Sequence, residues 1–211
     1  MTFVKVCGMT RREDVEAAVE LGVDALGFIL VPASPRFLPT EEAAELARTV
    51  PEGVRRVAVM MNPSCVEVEA VAQTGAFDCI QFHGAETPEM VRGCRLETIK
   101  AFAVAEEGDL ERSADYAAAS FFLFDSKKRS FGTGVAFDHS LLCGRTFAKP
   151  FLLAGGLRHD TLRGALEQVR PFGIDLNSGV EDAPGVKNRV KLAVAVATVR
   201  DFDTSERREH R

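Results

Sequence analysis

Eight short apolar runs alternate along this chain with segments that carry helix signals, and the alternation continues almost to the last residue. Most of the runs are bounded by Gly, Pro, Asp or Asn, which is typical of strands buried in a parallel sheet. The runs are residues 3–7, 25–30, 56–61, 79–82, 98–104, 121–125, 150–154 and 173–177. This pattern, within 211 residues, predicts an α/β protein with a single (β/α)8 barrel, a TIM barrel.

Helix signals lie between these runs. Thr10 with Glu13, and Ser64 with Glu67, have the spacing of a capping box, and Pro88 suits the first position of a helix. Further helices are predicted for residues 43–50, 158–169 and 187–200. We expect the barrel domain to cover residues 1–200, followed by a charged tail at 201–211 that frays.

An open doubly wound sheet is the alternative fold. Such sheets usually carry a glycine fingerprint after the first strand, and the sequence Cys7-Gly8-Met9-Thr10 is not one. The barrel is therefore the favoured architecture.

Composition excludes several functional classes. A formal net charge of −5 argues against binding to a nucleic acid backbone. No apolar stretch approaches the roughly 20 residues that span a bilayer, and no signal-peptide pattern opens the sequence, so no membrane partner is expected. The four scattered histidines give little support for a catalytic metal.

Cysteine usage indicates a reducing compartment. The chain has five cysteines without a C-x-x-C pair, so a zinc ribbon or a disulfide framework is improbable and we expect a cytoplasmic protein. Four of them are interpreted as packing residues: Cys65, Cys79, Cys94 and Cys143.

Several polar side chains are predicted to point into the barrel. Successive strand residues face opposite ways, so Lys5 and Cys7 share one face of the first run while Val4 and Val6 take the other. The same rule gives inward positions to Gln81, His83, Asp125, Asp175 and Asn177. Because a buried lysine needs a partner, we expect Lys5 to pair with an inward carboxylate such as Asp175.

Two runs end on a reactive group, a thiol at Cys7 and a carboxylate at Asp125. Ligands bind at the carboxyl ends of barrel strands, so these groups are candidates for a base and an acid acting on one substrate. Structural interpretations stay open beside this one. A buried cysteine is usually a packing residue, an aspartate after a strand often caps a helix, and Gln81 and His83 could satisfy each other in the core.

Three glycine-containing segments follow the last three runs: Phe131-Gly132-Thr133-Gly134, Leu153-Ala154-Gly155-Gly156-Leu157 and Asn177-Ser178-Gly179-Val180. Glycines after barrel strands seven and eight expose backbone N–H groups that can bind a phosphate. Ordinary turn chemistry is the alternative. No segment has the lysine of a Walker loop.

Taken together, several stretches resemble the phosphoribosylanthranilate isomerase family of tryptophan biosynthesis. They run in the family's order from Lys5 to Lys187: Lys5-Val6-Cys7-Gly8-Met9-Thr10, Gly27-Phe28-Ile29, Ser34-Pro35-Arg36, Gln81-Phe82-His83-Gly84, Leu123-Phe124-Asp125, Gly132-Thr133-Gly134, Leu153-Ala154-Gly155-Gly156-Leu157, Asp175-Leu176-Asn177-Ser178-Gly179-Val180-Glu181 and Pro184-Gly185-Val186-Lys187. No single stretch is specific, but the combination is.

The resemblance implies an isomerase without a cofactor that performs an Amadori rearrangement of N-(5′-phosphoribosyl)anthranilate. It implies that Cys7 is the general base, Asp125 the general acid, and Arg36 the ligand of the anthranilate carboxylate. It further implies a phosphate site and a set of pocket residues. The phosphate residues are Gly155, Gly156, Ser178 and Gly179. The pocket residues are Gln81, His83 and Asp175.

Two other functions are weighed against this one. Bifunctional relatives that also take a histidine-pathway substrate have an aspartate at the strand-one position, and Cys7 argues against that activity. A non-catalytic phosphate-binding barrel would tolerate loss of Cys7 and Asp125. The sequence is compatible with a monomer or a homodimer.

Overall fold

The eight predicted strands are all present in the computed structural model, which describes residues 1–126 and 138–209. They are β1 (Phe3–Cys7), β2 (Ala25–Ile29), β3 (Arg55–Met60), β4 (Cys79–Phe82), β5 (Glu97–Val104), β6 (Phe121–Ser126), β7 (Phe151–Leu153) and β8 (Gly173–Leu176). Neighbours in this order pair in parallel, and β8 pairs with β1, so the sheet closes. The predicted (β/α)8 barrel is confirmed.

Helices cover the outside of the barrel. They are α1 (Arg12–Glu20), α2 (Thr40–Ala47), α3 (Cys65–Gln73), α4 (Pro88–Gly93), α5 (Glu107–Glu111), α6 (Leu162–Val169) and α7 (Arg189–Glu209). Short 3-10 helices lie at Arg112–Tyr116, His139–Leu142 and Ser178–Val180. An antiparallel hairpin of β9 (Glu181–Ala183) and β10 (Val186–Lys187) follows β8. Neither α5 nor this hairpin is predicted from the sequence.

Two of the three predicted helix starts are confirmed. The capping box of Ser64 with Glu67 is formed, and the Thr87 side chain accepts a hydrogen bond from the Met90 N–H ahead of α4. The capping box of Thr10 is wrong, because α1 begins at Arg12 without a side-chain cap. The Thr10 hydroxyl instead donates to the Gly185 carbonyl at 2.5 Å, so it joins the first loop to the β9–β10 hairpin.

The last helix continues past its expected end at residue 200 and reaches Glu209. Phe202 is buried against the core, and the Asp203 carboxylate accepts hydrogen bonds from the N–H and the hydroxyl of Thr2 at 2.9 and 2.7 Å. Through residue 209, the charged segment expected as a tail is therefore the end of α7.

Apolar side chains form two layers, as the alternation of strand residues predicts. Inside the barrel a cluster includes Cys7, Val57, Cys79, Ala101 and Leu123. The second, larger layer lies between barrel and helices and includes Val4, Val6, Phe28, Ile80 and Phe122. The interior is a packed core, so a ligand has access only at the ends of the strands.

All five cysteines are free. Cys79 is buried and Cys94 half-buried, in line with a packing role, but Cys65 and Cys143 are exposed, so that interpretation is wrong for these two. Within the described residues, no helix has the length and apolar character that a membrane crossing requires.

Candidate active site

Cys7 is the last residue of β1 and Asp125 the last but one of β6, at the same end of the barrel. The other candidate residues belong to the same end. Arg36 follows β2, Gln81 lies in β4 and His83 just after it, and Asp175 lies in β8. The four candidate phosphate residues follow β7 and β8, at Gly155, Gly156, Ser178 and Gly179. The closed barrel therefore brings all the predicted site residues to one face.

The predicted ion pair of Lys5 with Asp175 is confirmed. The two residues are direct partners in the pairing of β1 with β8, and Lys5 Nζ donates to Asp175 Oδ1 and Oδ2 at 2.9 and 3.0 Å. Burial alone would lower the pKa of Lys5, but the Asp175 carboxylate outweighs this and raises it. Lys5 is therefore a charged group inside the barrel.

The Cys7 thiol is 4% exposed and lies next to Lys5. A Cβ atom placed on Gly27 of β2 would be 2.8 Å from Cys7 Sγ and 3.2 Å from Lys5 Nζ, so this glycine makes room for both groups. Burial raises the pKa of the Cys7 thiol above its ordinary value. Lys5 and Lys187 lower it again only in part. In the unliganded chain the thiol is protonated at neutral pH.

Asp125 faces His83. His83 Nε2 is 3.6 Å from Asp125 Oδ2, and the Ser126 N–H donates to Asp125 Oδ1 at 2.7 Å. On the other side of the ring, Gln81 Nε2 lies 3.0 Å from His83 Nδ1. With the amide nitrogen donating, Nδ1 accepts and the ring proton stands on Nε2, toward Asp125. The contacts from Gln81 to His83 and from His83 to Asp125 thus orient the imidazole ring toward the Asp125 carboxylate.

Asp175 connects the thiol side of the site with the carboxylate side. Burial raises the pKa of Asp175, Lys5 counteracts it, and the neighbouring charge of Asp125 raises it further. The site therefore contains four electrostatically coupled groups: Cys7, Lys5, Asp175 and Asp125.

Arg36 pairs with Glu181, an acidic residue to which the sequence alone gives no role. Its Nε donates to Glu181 Oε1 at 2.9 Å and its Nη2 donates to Oε2 at 2.5 Å. Glu181 Oε1 also accepts a hydrogen bond from Lys187 Nζ at 2.7 Å. Burial opposes ionisation of Glu181, but Arg36 and Lys187 outweigh it and hold the pKa of its carboxyl low. Glu181 and Lys187 both belong to the stretches that resemble the family. An acidic residue and a lysine six positions apart, directly after β8, are the sequence feature that could have indicated this pair.

The loops after β7 and β8 touch each other. Gly155 and Gly156 have positive φ angles of 92° and 74°. A Cβ atom on Gly179 would lie 2.0 Å from the Leu157 carbonyl oxygen, so only glycine permits this approach. The third glycine segment, residues 131–134, lies outside the described residues.

Among the residues that the structure describes, no group of three or more His, Cys, Asp or Glu side chains is placed to hold a metal ion. The described part of the site contains a thiol, carboxylates, cations, an imidazole and amide groups. These groups transfer protons and bind anions.

Comparison with known proteins identifies the family. Residues 4–198 match the model of the N-(5′phosphoribosyl)anthranilate (PRA) isomerase family. The chain belongs to this family. A phosphoribosylanthranilate isomerase of Bordetella bronchiseptica is 40% identical over 96% of this chain and 97% of its own length. The isomerase of Paracoccus denitrificans is 42% identical over 92% and 96%.

Solved structures of phosphoribosylanthranilate isomerases share the fold. The enzyme of Thermotoga maritima superposes with a TM-score of 0.89 at 35% identity, over 95% of this chain and all of that one. A second structure, of an isomerase in complex with reduced 1-(o-carboxyphenylamino)-1-deoxyribulose 5-phosphate, gives a TM-score of 0.86 at 33% identity over the same shares of the two chains.

Proposed function

We propose that this chain isomerises N-(5′-phosphoribosyl)anthranilate to 1-(2-carboxyphenylamino)-1-deoxyribulose 5-phosphate in L-tryptophan biosynthesis. The observation that carries the proposal is the placement of Cys7 and Asp125 at the ends of β1 and β6, joined through Lys5 and Asp175, in a barrel of this family. The reaction needs only proton transfers, and a thiol and a carboxyl group can supply them.

Asp125 is the proposed general acid. It protonates the furanose ring oxygen as the C1–O bond breaks, which leaves a protonated Schiff base between C1 and the anthranilate nitrogen. His83, with its proton on Nε2, faces the carboxylate that results and stabilises its charge. Gln81 holds the ring from the opposite side.

Cys7 is the proposed general base. The protonated Schiff base acidifies the C2–H bond, and the thiolate removes that proton to give an enolamine. Burial keeps the thiol protonated in the free protein, but the cation formed on ring opening is a further positive charge beside Lys5. It favours release of the thiol proton to water, so that Cys7 is a thiolate at the step that removes the C2 proton.

The enolamine then becomes the ketone. Return of the thiol proton to C1, and passage of the C2 hydroxyl proton to Asp125, completes the isomerisation. Asp125 is then again the acid, and Cys7 is again the thiolate, which regains its resting proton from water when the product leaves. Each proton transfer by a positioned group contributes about 10²- to 10⁴-fold in rate. No cofactor takes part in this scheme.

The remaining residues bind the two ends of the substrate. Arg36 holds the anthranilate carboxylate, a planar anion that suits a guanidinium group. The N–H groups of the β7 and β8 loops, at Gly155, Gly156, Ser178 and Gly179, bind the phosphate. Asp175 lies between these ends and contacts the ribose hydroxyl groups.

The same proposal places the chain in the cytoplasm, where five unpaired thiols persist. A Thermotoga maritima relative has been described as dimeric. Analytical ultracentrifugation will decide between a monomer and a homodimer for this chain.

The test is turnover of freshly prepared phosphoribosylanthranilate by the purified protein. We expect rapid loss of anthranilate-type fluorescence and a product that co-elutes with the synthetic ketose. Decay no faster than without protein would contradict the proposal and favour a phosphate-binding barrel without this activity.

A further inference from the structure

The hairpin of β9 and β10 carries a buried cation beside the candidate carboxylate site. Lys187 is 4% exposed, and its Nζ donates to Glu181 Oε1 at 2.7 Å and to Asn177 Oδ1 at 3.2 Å. The same carboxylate holds Arg36. Three charged side chains therefore meet at the barrel mouth.

We propose that Lys187 is a positioning residue for substrate selection: it offsets the charge of Glu181, so that Arg36 keeps a net attraction for the substrate's carboxylate. This inference rests on the proposed function, in which Arg36 binds the anthranilate carboxylate. It assigns to Lys187 a role that involves no contact with the substrate.

The geometry leaves one edge of the Arg36 guanidinium available. Glu181 takes Nε and Nη2, while Nη1 makes no hydrogen bond within the described residues. Nη1 and the second hydrogen of Nη2 form a fork that matches a carboxylate. A Cβ atom on Gly8 would be 2.6 Å from Arg36 Cδ, so the arginine stem crosses the chain directly after Cys7. The free edge is thus held next to the base.

Charge balance decides whether this edge attracts an anion. Arg36 and Glu181 alone form a neutral pair, which has little long-range attraction for a carboxylate. With Lys187 the three groups carry one net positive charge, and all of them are largely withdrawn from water. Low exposure makes that charge more effective than it would be at the surface.

The hairpin is anchored, so the three groups keep their arrangement without substrate. The Lys187 N–H donates to Asp14 Oδ2 at 3.0 Å, and the Gly185 N–H donates to Glu181 Oε1 at 3.2 Å. The bond from Thr10 to the Gly185 carbonyl fixes the turn of the hairpin to the first loop. Such preorganisation lowers the cost of binding.

The test compares two stable ligands that differ only in the carboxylate. The first is reduced 1-(o-carboxyphenylamino)-1-deoxyribulose 5-phosphate, and the second is the corresponding phenylamino compound. Dissociation constants are measured by calorimetry for wild type, Lys187→Met and Lys187→Arg. Binding is chosen over turnover because Lys187 also lowers the pKa of the Cys7 thiol.

We expect Lys187→Met to weaken binding of the carboxylate ligand about tenfold or more, because the cluster loses its net positive charge, and to change binding of the phenylamino ligand by about twofold at most. Lys187→Arg should restore the wild-type preference. The control is Arg163→Met, which removes an exposed cation paired with Glu167 on α6, and it should leave both affinities unchanged.

A double variant gives the inference a second, independent test. Lys187→Met with Glu181→Gln removes a buried pair of opposite charges, which proteins often tolerate, and leaves Arg36 as the one charge of the cluster. Affinity for the carboxylate ligand should recover. Equal weakening of both ligands in Lys187→Met, or a double variant weaker than the single one, would overturn the inference. Absence of binding by wild type would instead overturn the proposed function together with the inference.

Discussion

Lys5 and Asp175 face each other across the pairing of β1 with β8, with Lys5 Nζ 2.9 Å from Asp175 Oδ1, and both side chains are buried inside the barrel. The charges of the pair act on Cys7, and Asp175 also interacts electrostatically with Asp125. The energetic role of the pair can be separated from its catalytic role by measurement.

Lys5→Met should destabilise the fold. Removing one partner leaves the Asp175 carboxylate buried without a counter-charge, and we expect a loss of about 3–5 kcal/mol in the free energy of unfolding. Urea denaturation followed by circular dichroism measures it. The control is Lys5→Met with Asp175→Asn, which removes both charges and should recover much of the loss. A single variant as stable as wild type would show that the pair is not energetically coupled to folding.

The Cys7 thiol should react with an alkylating reagent only at alkaline pH. Burial raises its pKa above the ordinary value of 9.0, so the thiolate forms in the free protein only at more alkaline pH. Iodoacetamide alkylation, followed by peptide mass spectrometry, should be slow at Cys7 at pH 8 and accelerate above pH 9. Exposed Cys65 provides the internal reference. Complete alkylation of Cys7 at pH 7 before Cys65 reacts would contradict the buried, protonated thiol.

Arg36→Ala should raise KM more than it lowers kcat, because the contact with the carboxylate persists from bound substrate to transition state. The fluorescence assay over a range of substrate concentrations measures both constants. An exposed arginine of α1, Arg12, offers the matched control Arg12→Ala, which should leave both constants unchanged. A KM equal to that of wild type would remove Arg36 from the substrate site.

Gly179→Ala should damage both stability and phosphate binding. Its Cβ would lie 2.0 Å from the Leu157 carbonyl oxygen, so the loops after β7 and β8 must move apart. We expect the melting temperature to fall and the KM for the phosphorylated substrate to rise. Gly164→Ala in α6, where a Cβ meets nothing within 4 Å, is the control and should stabilise by about 0.4–1 kcal/mol. Equal behaviour of the two variants would mean that the loop contact is unimportant.

The sequence predicts those parts of the site that strand geometry dictates. Alternation along β1 and β8 predicts that Lys5 and Asp175 both point into the barrel, where an ion pair is expected, and the ends of the first and sixth apolar runs give Cys7 and Asp125; the register that makes Lys5 and Asp175 direct partners comes from the folded sheet. The predicted features follow from two patterns that are visible in the sequence. One is the two-residue alternation of side chains along a strand, and the other is the repeated strand–helix unit of the barrel.

Contacts between loops have no such period. Arg36 and Glu181 are 145 positions apart and meet through two irregular segments, so the network around Lys187 follows only from the folded chain. The capping box at Thr10 failed for a similar reason, because its hydroxyl bonds to Gly185 across 175 positions. Long-range partners overrode a local signal there.

The most direct test of the acid and base assignment compares kcat of wild type, Cys7→Ala and Asp125→Ala in the fluorescence assay. Cys79→Ala, which removes a second cysteine buried inside the barrel, is the matched control. We expect each of the first two substitutions to lower kcat at least about a hundredfold with the fold intact, and Cys79→Ala to retain most of the activity. Near-normal turnover by Cys7→Ala or Asp125→Ala would contradict the proposed roles.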